Sequence, residues 1–212
     1  MESRRTVLTV IAVAALLVLA THLADRWAYE TIVLERVYEE DWGRMLRVMG
    51  FLPFWMAGAL ALVLTDWPAR TRESVAPALR RGLLLFGAAA LSGAAGELLK
   101  LVFRRERPRA HAGEYVFRAF IERPFHSGGL ALPSSHAVIA FGAAAMLARL
   151  FPRAAPVWYA LAIGCALTRV AAGAHFLSDV AVSAIVGWVI AALLWRRFGR
   201  STARTQERSP AG

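Results

Sequence analysis

Charge-poor apolar blocks recur along the whole of this 212-residue chain and constrain its fold more than any other feature. A helix that crosses a bilayer needs about 20 mostly apolar residues, with about 17 as a lower limit. The fourth and fifth blocks are shorter than that and must borrow flanking residues. We therefore expect an all-α, integral membrane six-helix bundle. The blocks are residues 6–21, 48–65, 82–96, 137–147, 156–168 and 180–195.

The composition supports one membrane-embedded domain over residues 1–212. The chain is 58% apolar and only 19% charged, whereas soluble domains average about 45–50% and about 25%. Six spans leave little chain for a separate soluble domain, apart from a long loop at 104–132 and a flexible basic tail at 198–212. Aromatic and charged residues alternate in that loop, which predicts a short interfacial helix on the lipid headgroups. A lid over the bundle is the alternative. The pair Gly128-Gly129 is compatible with a hinge or a turn, and we favour the turn.

Arginines sit at the ends of the apolar blocks, not along one helical stripe. The formal net charge of +10 is therefore better explained by membrane topology than by nucleic-acid binding, because Lys and Arg concentrate in cytoplasmic loops. On alternating helices the basic segments 4–5, 66–81, 149–153 and 196–208 share the cytoplasmic side. The basic 104–132 loop violates this bias. We predict a multi-pass protein of the inner or plasma membrane. The first block also resembles a signal peptide, whose removal would not change the sidedness.

Three polar segments each adjoin an apolar block, and alternation places all three on the extracytoplasmic (periplasmic) face. The first contains the only lysine of the chain. Phosphate esters hydrolyse so slowly without catalysis that an enzyme needs a nucleophile and fixed positive charge around the phosphoryl oxygens. The three segments carry the residue types for both tasks. They read Lys100-x₆-Arg107-Pro108, Pro133-Ser134-Ser135-His136 and Thr168-Arg169-x₅-His175-x₃-Asp179.

His175 and Asp179 are four residues apart, so on a helix they share one face. A carboxylate bonded to one ring nitrogen fixes the tautomer and leaves the other nitrogen free to attack phosphorus. A structural helix-end pair is the alternative for such a spacing. His136 opens an apolar block after residues that suit a helix start. It is a candidate acid for the leaving alkoxide and later a base for water, or simply a hydrogen-bonded histidine at a helix entry.

Lys100, Arg107 and Arg169 are candidates for a phosphate clamp, because charged residues at membrane depth are costly and arginine matches phosphate oxygens bidentately. Snorkelling to the interface is the alternative. Glu97 is expected to pair with a neighbouring cation and orient it, or equally to neutralise Lys100 or Arg169 for stability. Snorkelling is the preferred interpretation for three neighbours: Arg104, Arg105 and Arg109.

The three segments resemble the phosphatidic acid phosphatase type 2 superfamily, which shares its site with vanadium-dependent haloperoxidases. That family's pattern is Lys-x₆-Arg-Pro, Pro-Ser-Gly-His and Ser-Arg-x₅-His-x₃-Asp, and the spacing within each segment matches. The resemblance implies His175 as nucleophile, Asp179 as its orienting partner and His136 as general acid. It also implies a phosphate pocket made of Lys100, Arg107, Arg169, Ser134 and neighbouring backbone N–H groups.

Two positions depart from the family pattern. Ser135 stands where the family has glycine, which removes the freedom for positive φ and adds a hydroxyl that can join the substrate-binding set. Thr168 replaces serine and keeps the hydroxyl. Neither change removes a charged participant, so we expect activity to survive.

These features together predict a membrane lipid phosphatase with no cofactor and no metal, whose turnover continues in a chelator. Candidate substrates are a polyprenyl diphosphate, which we favour, phosphatidylglycerophosphate, phosphatidic acid and a lipid A phosphate. A lipid phosphotransferase shares the first half-reaction and stays open. A non-catalytic transporter is disfavoured because the polar residues cluster at one face without a repeat, and a haloperoxidase because no peroxide-handling soluble domain is evident. The expected partners are the lipid substrate and the bilayer; the oligomeric state is left open.

Overall fold

The computed structural model describes residues 2–34, 36–68 and 75–199. Within these ranges the chain is helical, and the only strand-like pairings are two isolated bridges, Arg105 with Phe117 and Glu106 with Leu130. The all-α prediction is confirmed. The helices are α1 (Glu2–Leu23), α2 (Asp25–Ile32), α3 (Asp41–Val48), α4 (Leu52–Thr65), α5 (Ala76–Phe103), α6 (Ser135–Leu150), α7 (Ala155–Ala171) and α8 (Leu177–Leu194).

Among the described residues, four segments are long and apolar enough to cross a membrane: Arg5–Leu23, Ala78–Phe103, Pro152–Ala171 and Leu177–Gly199. A fifth crossing is possible if α3 and α4, which meet at a 62° bend, form one broken span. The fourth predicted block, residues 137–147, corresponds to α6, which at 16 residues is shorter than a full span. The six blocks therefore all become helices, although only four or five qualify as spans by length and composition.

Helix α6 lies at the centre of the bundle because its surface is built from small residues. It packs against α5, α7 and α8, and Ala140, Ala143 and Ala144 are buried. A Cβ atom at Gly187 of α8 would lie 2.7 Å from backbone atoms of α6, so only glycine allows this approach. Small residues at helix contacts are the usual device for tight packing in lipid, where the hydrophobic effect does not drive helices together.

The loop at 104–132 corrects two predictions. It contains only one short 3₁₀ turn, Pro108–His111, so the interfacial helix is absent, although the turn at Gly128-Gly129 is confirmed. Arg104 and Arg105 are buried within the protein, so the prediction that they snorkel is wrong. Arg104 bonds to carbonyls later in the same loop, and Arg105 bonds to residues of α8.

The opposite end of the bundle carries the arginine-rich connections. There Arg81 donates to both carboxylate oxygens of Asp66 at 2.8 Å. Arg70, Arg72 and residues 200–212 of the predicted flexible tail lie outside the described residues. The described part of that tail ends in a π-helical turn, Trp195–Gly199.

Candidate active site

The first and second polar segments meet where α5 ends and α6 begins. Lys100, in the last turn of α5, donates a 2.9 Å hydrogen bond to Glu97 and a second to the Ser135 hydroxyl. Ser135 in turn donates to the same Glu97 oxygen. The prediction that Glu97 pairs with a neighbouring cation is confirmed. Ser135, which replaces the family's glycine, therefore helps to hold the Lys100 ammonium group in place.

Arg107 and Arg169 bring two guanidinium groups to the same region. Each interacts electrostatically with the other and with Lys100. Burial, and then the neighbouring charge of Arg169, lowers the pKa of Arg107. The buried Nε atoms of both arginines have no hydrogen-bond partner within the described chain. Because a buried unpaired donor costs about 1–3 kcal/mol, the cluster is a cationic cage suited to an anion.

Tyr38, in the connection between α2 and α3, contributes to this cage and was not predicted. Its hydroxyl accepts a 2.5 Å hydrogen bond from Arg169 and donates to the Thr168 carbonyl at 3.1 Å. The Arg47 guanidinium lies over the same ring, 4.6 Å from its centroid. Tyr38 therefore orients Arg169, and Arg47 extends the positive charge beyond the three predicted cations.

His175 is buried in the turn between α7 and α8, and its protonation state follows from one contact. Its Nδ1 lies 2.8 Å from the Ala131 carbonyl oxygen. A carbonyl can only accept, so Nδ1 carries the hydrogen and Nε2 keeps the lone pair. Burial lowers the pKa of His175 to about 4, partly offset by Asp179. The ring is therefore neutral at physiological pH, as a nucleophile requires.

Asp179 lies 3.8 Å from His175 Nδ1, too far for a hydrogen bond. The expected direct carboxylate–imidazole bond is corrected: the Ala131 backbone holds the tautomer, and Asp179 supplies charge nearby. Its carboxylate accepts from the Phe176 N–H at 2.7 Å, and from the buried Arg105 guanidinium. The same Arg105 nitrogen donates to Ser178 at 3.0 Å.

Asp25, at the start of α2, supports this arrangement from a part of the chain that carries no motif. Its carboxylate is buried and accepts from the Ser178 N–H at 2.8 Å and from the Ser178 hydroxyl. It also accepts from Tyr115 at 2.9 Å. Burial, reinforced by Asp25, raises the pKa of Tyr115, so the phenol stays a donor. Asp25 thus fixes the first turn of α8, which carries Asp179.

His136 lies in the first turn of α6 and interacts electrostatically with Arg169, Arg47, His175 and Lys100. A Cβ at Gly50 would lie 2.5 Å from the His136 Cβ, so the α3–α4 bend packs directly on the histidine.

Ser134 caps α6: its hydroxyl accepts from Ala137 N–H at 3.5 Å, and its backbone N–H donates to Ser183 at 2.9 Å. The hydroxyl and the backbone N–H of Ser134 are therefore both engaged in hydrogen bonds within the protein. The Thr168 hydroxyl is also occupied, since it donates to the Cys165 carbonyl at 2.7 Å.

The structure therefore brings both predicted histidines, the three predicted cations and Asp179 to one end of the bundle. Sequence reasoning missed Arg105, Tyr38 and Asp25. Of these three, Arg105 had the clearest signal in the sequence, because it is a charged residue within the segment from Lys100 to Pro108. No group of three or more His, Cys, Asp or Glu side chains able to hold a metal occurs among the described residues.

The chain belongs to the PAP2 superfamily, whose model matches residues 81–203. This range contains all three polar segments. The fold is similar to the crystal structure of the first transmembrane PAP2-type phosphatidylglycerolphosphate phosphatase from Bacillus subtilis, with a TM-score of 0.56 over 92% of this chain and 96% of that one, at 18% identity. Together with the apolar helices, this defines a multi-pass membrane protein.

Two curated relatives are lipid A 1-phosphatases. The protein from Rhizobium etli is 35% identical over 121 residues, which cover 56% of this chain and 52% of the relative. The protein from Rhizobium johnstonii is also 35% identical over 121 residues, covering 56% of this chain and 49% of the relative. The chain thus spans about half the length of the curated relatives that it matches.

Proposed function

We propose that this protein is a membrane lipid phosphatase that removes phosphate from a lipid through a phosphohistidine. The observation that carries the proposal is the cationic cage of Lys100, Arg107 and Arg169 around two histidines, with two buried Nε atoms unpartnered within the described chain. Glu97 offsets one of these charges through its bond to Lys100, but the cations still repel one another. A phosphate dianion neutralises the cluster and supplies acceptors for the guanidinium donors.

The proposed reaction has two steps. In the first, Nε2 of His175 attacks phosphorus, the phosphorus–oxygen ester bond breaks, and His136 gives a proton to the leaving oxygen. In the second, His136 takes a proton from water, the hydroxide attacks phosphorus, and the phosphorus–nitrogen bond breaks to release phosphate and His175. The hydrogen bond from Nδ1–H to Ala131 favours this direction of attack, and the cage stabilises charge on the phosphoryl oxygens.

We further propose that the site opens on the extracytoplasmic side. The supporting arguments are the arginine bias of the sequence and the position of Arg80 and Arg81 at the opposite end of the bundle. A lipid phosphate exposed on the outer leaflet would then reach the cage from the bilayer surface.

Among substrates, a lipid A 1-phosphate is now the leading candidate, because both curated relatives carry that activity in their names. A polyprenyl diphosphate, favoured by the sequence alone, is the second candidate. One observation supports it: the Arg47 guanidinium beside Tyr38 offers positive charge next to the cage for a second phosphate group.

Phosphate release from a lipid panel by the purified protein tests the proposal. The panel contains lipid A with and without its 1-phosphate, a polyprenyl diphosphate and phosphatidylglycerophosphate. His175→Ala should reduce release by about 10³-fold or more, as expected for loss of a covalent nucleophile. His126→Ala, which changes an exposed histidine of the 104–132 loop, is the matched control and should retain activity.

Residual turnover of His175→Ala close to wild type would refute the nucleophile assignment, whereas inactivity of the wild type toward the whole panel would refute the function. A radiolabelled phosphoenzyme that forms on wild type but not on His175→Ala supports the covalent step. Repeating the reaction with an acceptor lipid separates hydrolysis from phosphotransfer, since only a transferase yields a new lipid phosphate.

A further inference from the structure

Arg104 has an unusual environment for a residue at the end of a helix. It is the residue after α5, with left-handed backbone at φ 55°, a conformation that non-glycine residues rarely adopt. Its side chain is only 1% exposed. Such a conformation persists where surrounding contacts over-determine it.

Those contacts are four backbone carbonyls from a single stretch of the 104–132 loop. The Arg104 guanidinium donates to the carbonyls of Arg118 at 3.1 Å, Ala119 at 2.8 Å, Glu122 at 2.5 Å and Pro124 at 3.4 Å. Its carbonyl also accepts from the Arg118 N–H at 3.0 Å. The loop thus wraps around one guanidinium group, which satisfies backbone carbonyls that N–H groups would satisfy in a helix.

This wrapping turns four large apolar side chains outward. We call them the apolar tip: Phe117, Phe120, Ile121 and Phe125. Ile121 is 90% exposed and Phe125 is 91% exposed. Meanwhile the charged Arg118 points inward, where it bonds Glu106 at 2.8 Å and the carbonyls of His126 and Gly128. A loop with buried cations and exposed aromatic rings is the inverse of a water-facing loop.

The neighbourhood of the tip identifies what covers it. The residues of α5 just before Arg104 that face away from the bundle are apolar and exposed: Leu98, Val102 and Phe103. They belong to the membrane-spanning segment Ala78–Phe103. Because Arg104 binds the loop directly, the apolar tip continues this lipid-facing surface at the level where α5 ends.

The far side of the same loop reaches the cationic cage. The Gly129 carbonyl accepts from the Arg107 N–H at 3.1 Å, and the Ala131 N–H donates to the Arg105 carbonyl at 2.7 Å. Ala131 is also the residue whose carbonyl fixes His175. The loop therefore connects the apolar tip to the nucleophile.

We propose that the apolar tip is a membrane anchor: it inserts among the acyl chains of the leaflet on which the site opens, in a shape templated by Arg104, and it docks the site onto lipid-borne substrate. Insertion of exposed aromatic and aliphatic side chains at the headgroup–acyl boundary is favoured by the burial of their apolar area. The exposed Glu122 and Arg123 then lie at headgroup level.

Collisional quenching of a label at the tip tests insertion directly. The chain has one cysteine, Cys165, which is buried, so a fluorophore attaches to the introduced cysteine of Ile121→Cys. In lipid nanodiscs, acyl-chain-brominated lipid should quench this label strongly and aqueous iodide weakly. A label at Glu39→Cys, in the exposed first loop, is the matched control and should show the reverse. This readout is independent of which substrate the enzyme uses.

Variants at Arg104 test the template. Arg104→Gly suits the positive φ but removes the guanidinium, so the helix end is preserved while the loop loses its centre. Lipid quenching at Ile121→Cys should fall toward the level of the Glu39→Cys control. Arg104→Lys, which keeps the charge but not the planar fork, should give an intermediate value.

Kinetics test docking. We expect Ile121→Asp to need a surface concentration of lipid phosphate in the bilayer on the order of 10-fold higher for half-maximal rate. The reason is that one isoleucine side chain no longer inserts among the acyl chains. Its rate on a small water-soluble phosphate monoester should be unchanged. Equal loss on both substrates would indicate a structural defect and overturn the docking role. Insertion would be overturned if iodide quenched the Ile121→Cys label as strongly as the control label. It would also be overturned if protection of the Ile121→Cys label from iodide depended on protein concentration and not on lipid.

Discussion

Arg105 lies buried beneath the candidate nucleophile, and replacing it tests the corrected view of this site. Its guanidinium bridges Asp179 and Ser178, and Asp179 is fully buried. In Arg105→Met the Asp179 carboxylate loses its cationic partner. Breaking a buried ion pair by removing one member costs about 3–5 kcal/mol, because an uncompensated charge remains. At about 2–4 °C per kcal/mol for a chain of this size, the unfolding temperature should fall by about 6–20 °C.

Two further variants make this prediction decisive. Arg109→Met changes an exposed arginine of the same segment and should stay within about 0.5 kcal/mol of wild type. In the double variant Arg105→Met with Asp179→Asn the orphaned charge is gone, so much of the lost stability should return while activity stays low. The measurement is thermal unfolding in one detergent, followed by tryptophan fluorescence. A shift for Arg105→Met no larger than that for Arg109→Met would restore the snorkelling interpretation and refute the buried pair.

Four other predictions concern the same site. Asp25→Asn, which keeps the shape but removes the charge that accepts from Ser178, should lower kcat about 10-fold through loss of charge-assisted bonds worth about 1.5–3 kcal/mol, with KM nearly unchanged. A wild-type kcat in Asp25→Asn would contradict this role. Burial holds the pKa of His175 near 4, so its neutral form persists well below pH 6.5, and the pH profile of kcat/KM should show no titration of this residue between pH 5 and 8. The folded-state pKa lies below the value of about 6.5 in the unfolded chain. The contribution of His175 to the free energy of unfolding should therefore be constant above about pH 6.5 and fall as the pH drops toward 4, because the unfolded chain binds the extra proton. Ser135→Gly should raise KM several-fold by releasing Lys100, and activity of wild type should persist in a chelator; loss of activity that added metal restores would overturn the cation-only cage.

The helices and the motif residues could be predicted because each rests on local information. Apolar blocks report exclusion from water whatever their neighbours are, and the motif residues are read from short stretches of sequence, although His175 lies in the turn before α8 and only Asp179 lies on that helix. The lengths of spans were less certain, because α6 is surrounded by other helices and needs only 16 residues. A short apolar block does not reveal whether lipid or protein covers it.

The partners of Arg104 and Arg105 could not be predicted because they depend on the path of a loop. These two arginines are adjacent in sequence and look alike, yet one binds Asp179, 74 residues away, and the other binds carbonyls of the loop itself. The alternation that suggested a helix near Phe120 is produced instead by a chain wrapped around a guanidinium. Aromatic and charged side chains do alternate along this segment, but a wrapped loop and not a helix accounts for the alternation.

The control of His175 illustrates the same limit at the level of chemistry. The motif spacing puts a carboxylate near the ring, and by analogy with other triads that carboxylate would set the tautomer. Here the Ala131 carbonyl takes the Nδ1 hydrogen at 2.8 Å while Asp179 stands at 3.8 Å. Because a backbone carbonyl can only accept, the path of the loop leaves the lone pair on Nε2, the nitrogen that we propose as nucleophile. The Asp179 carboxylate is then free to hold Arg105 and the Phe176 N–H, and in the proposed mechanism it would stabilise the positive charge on a phosphorylated ring.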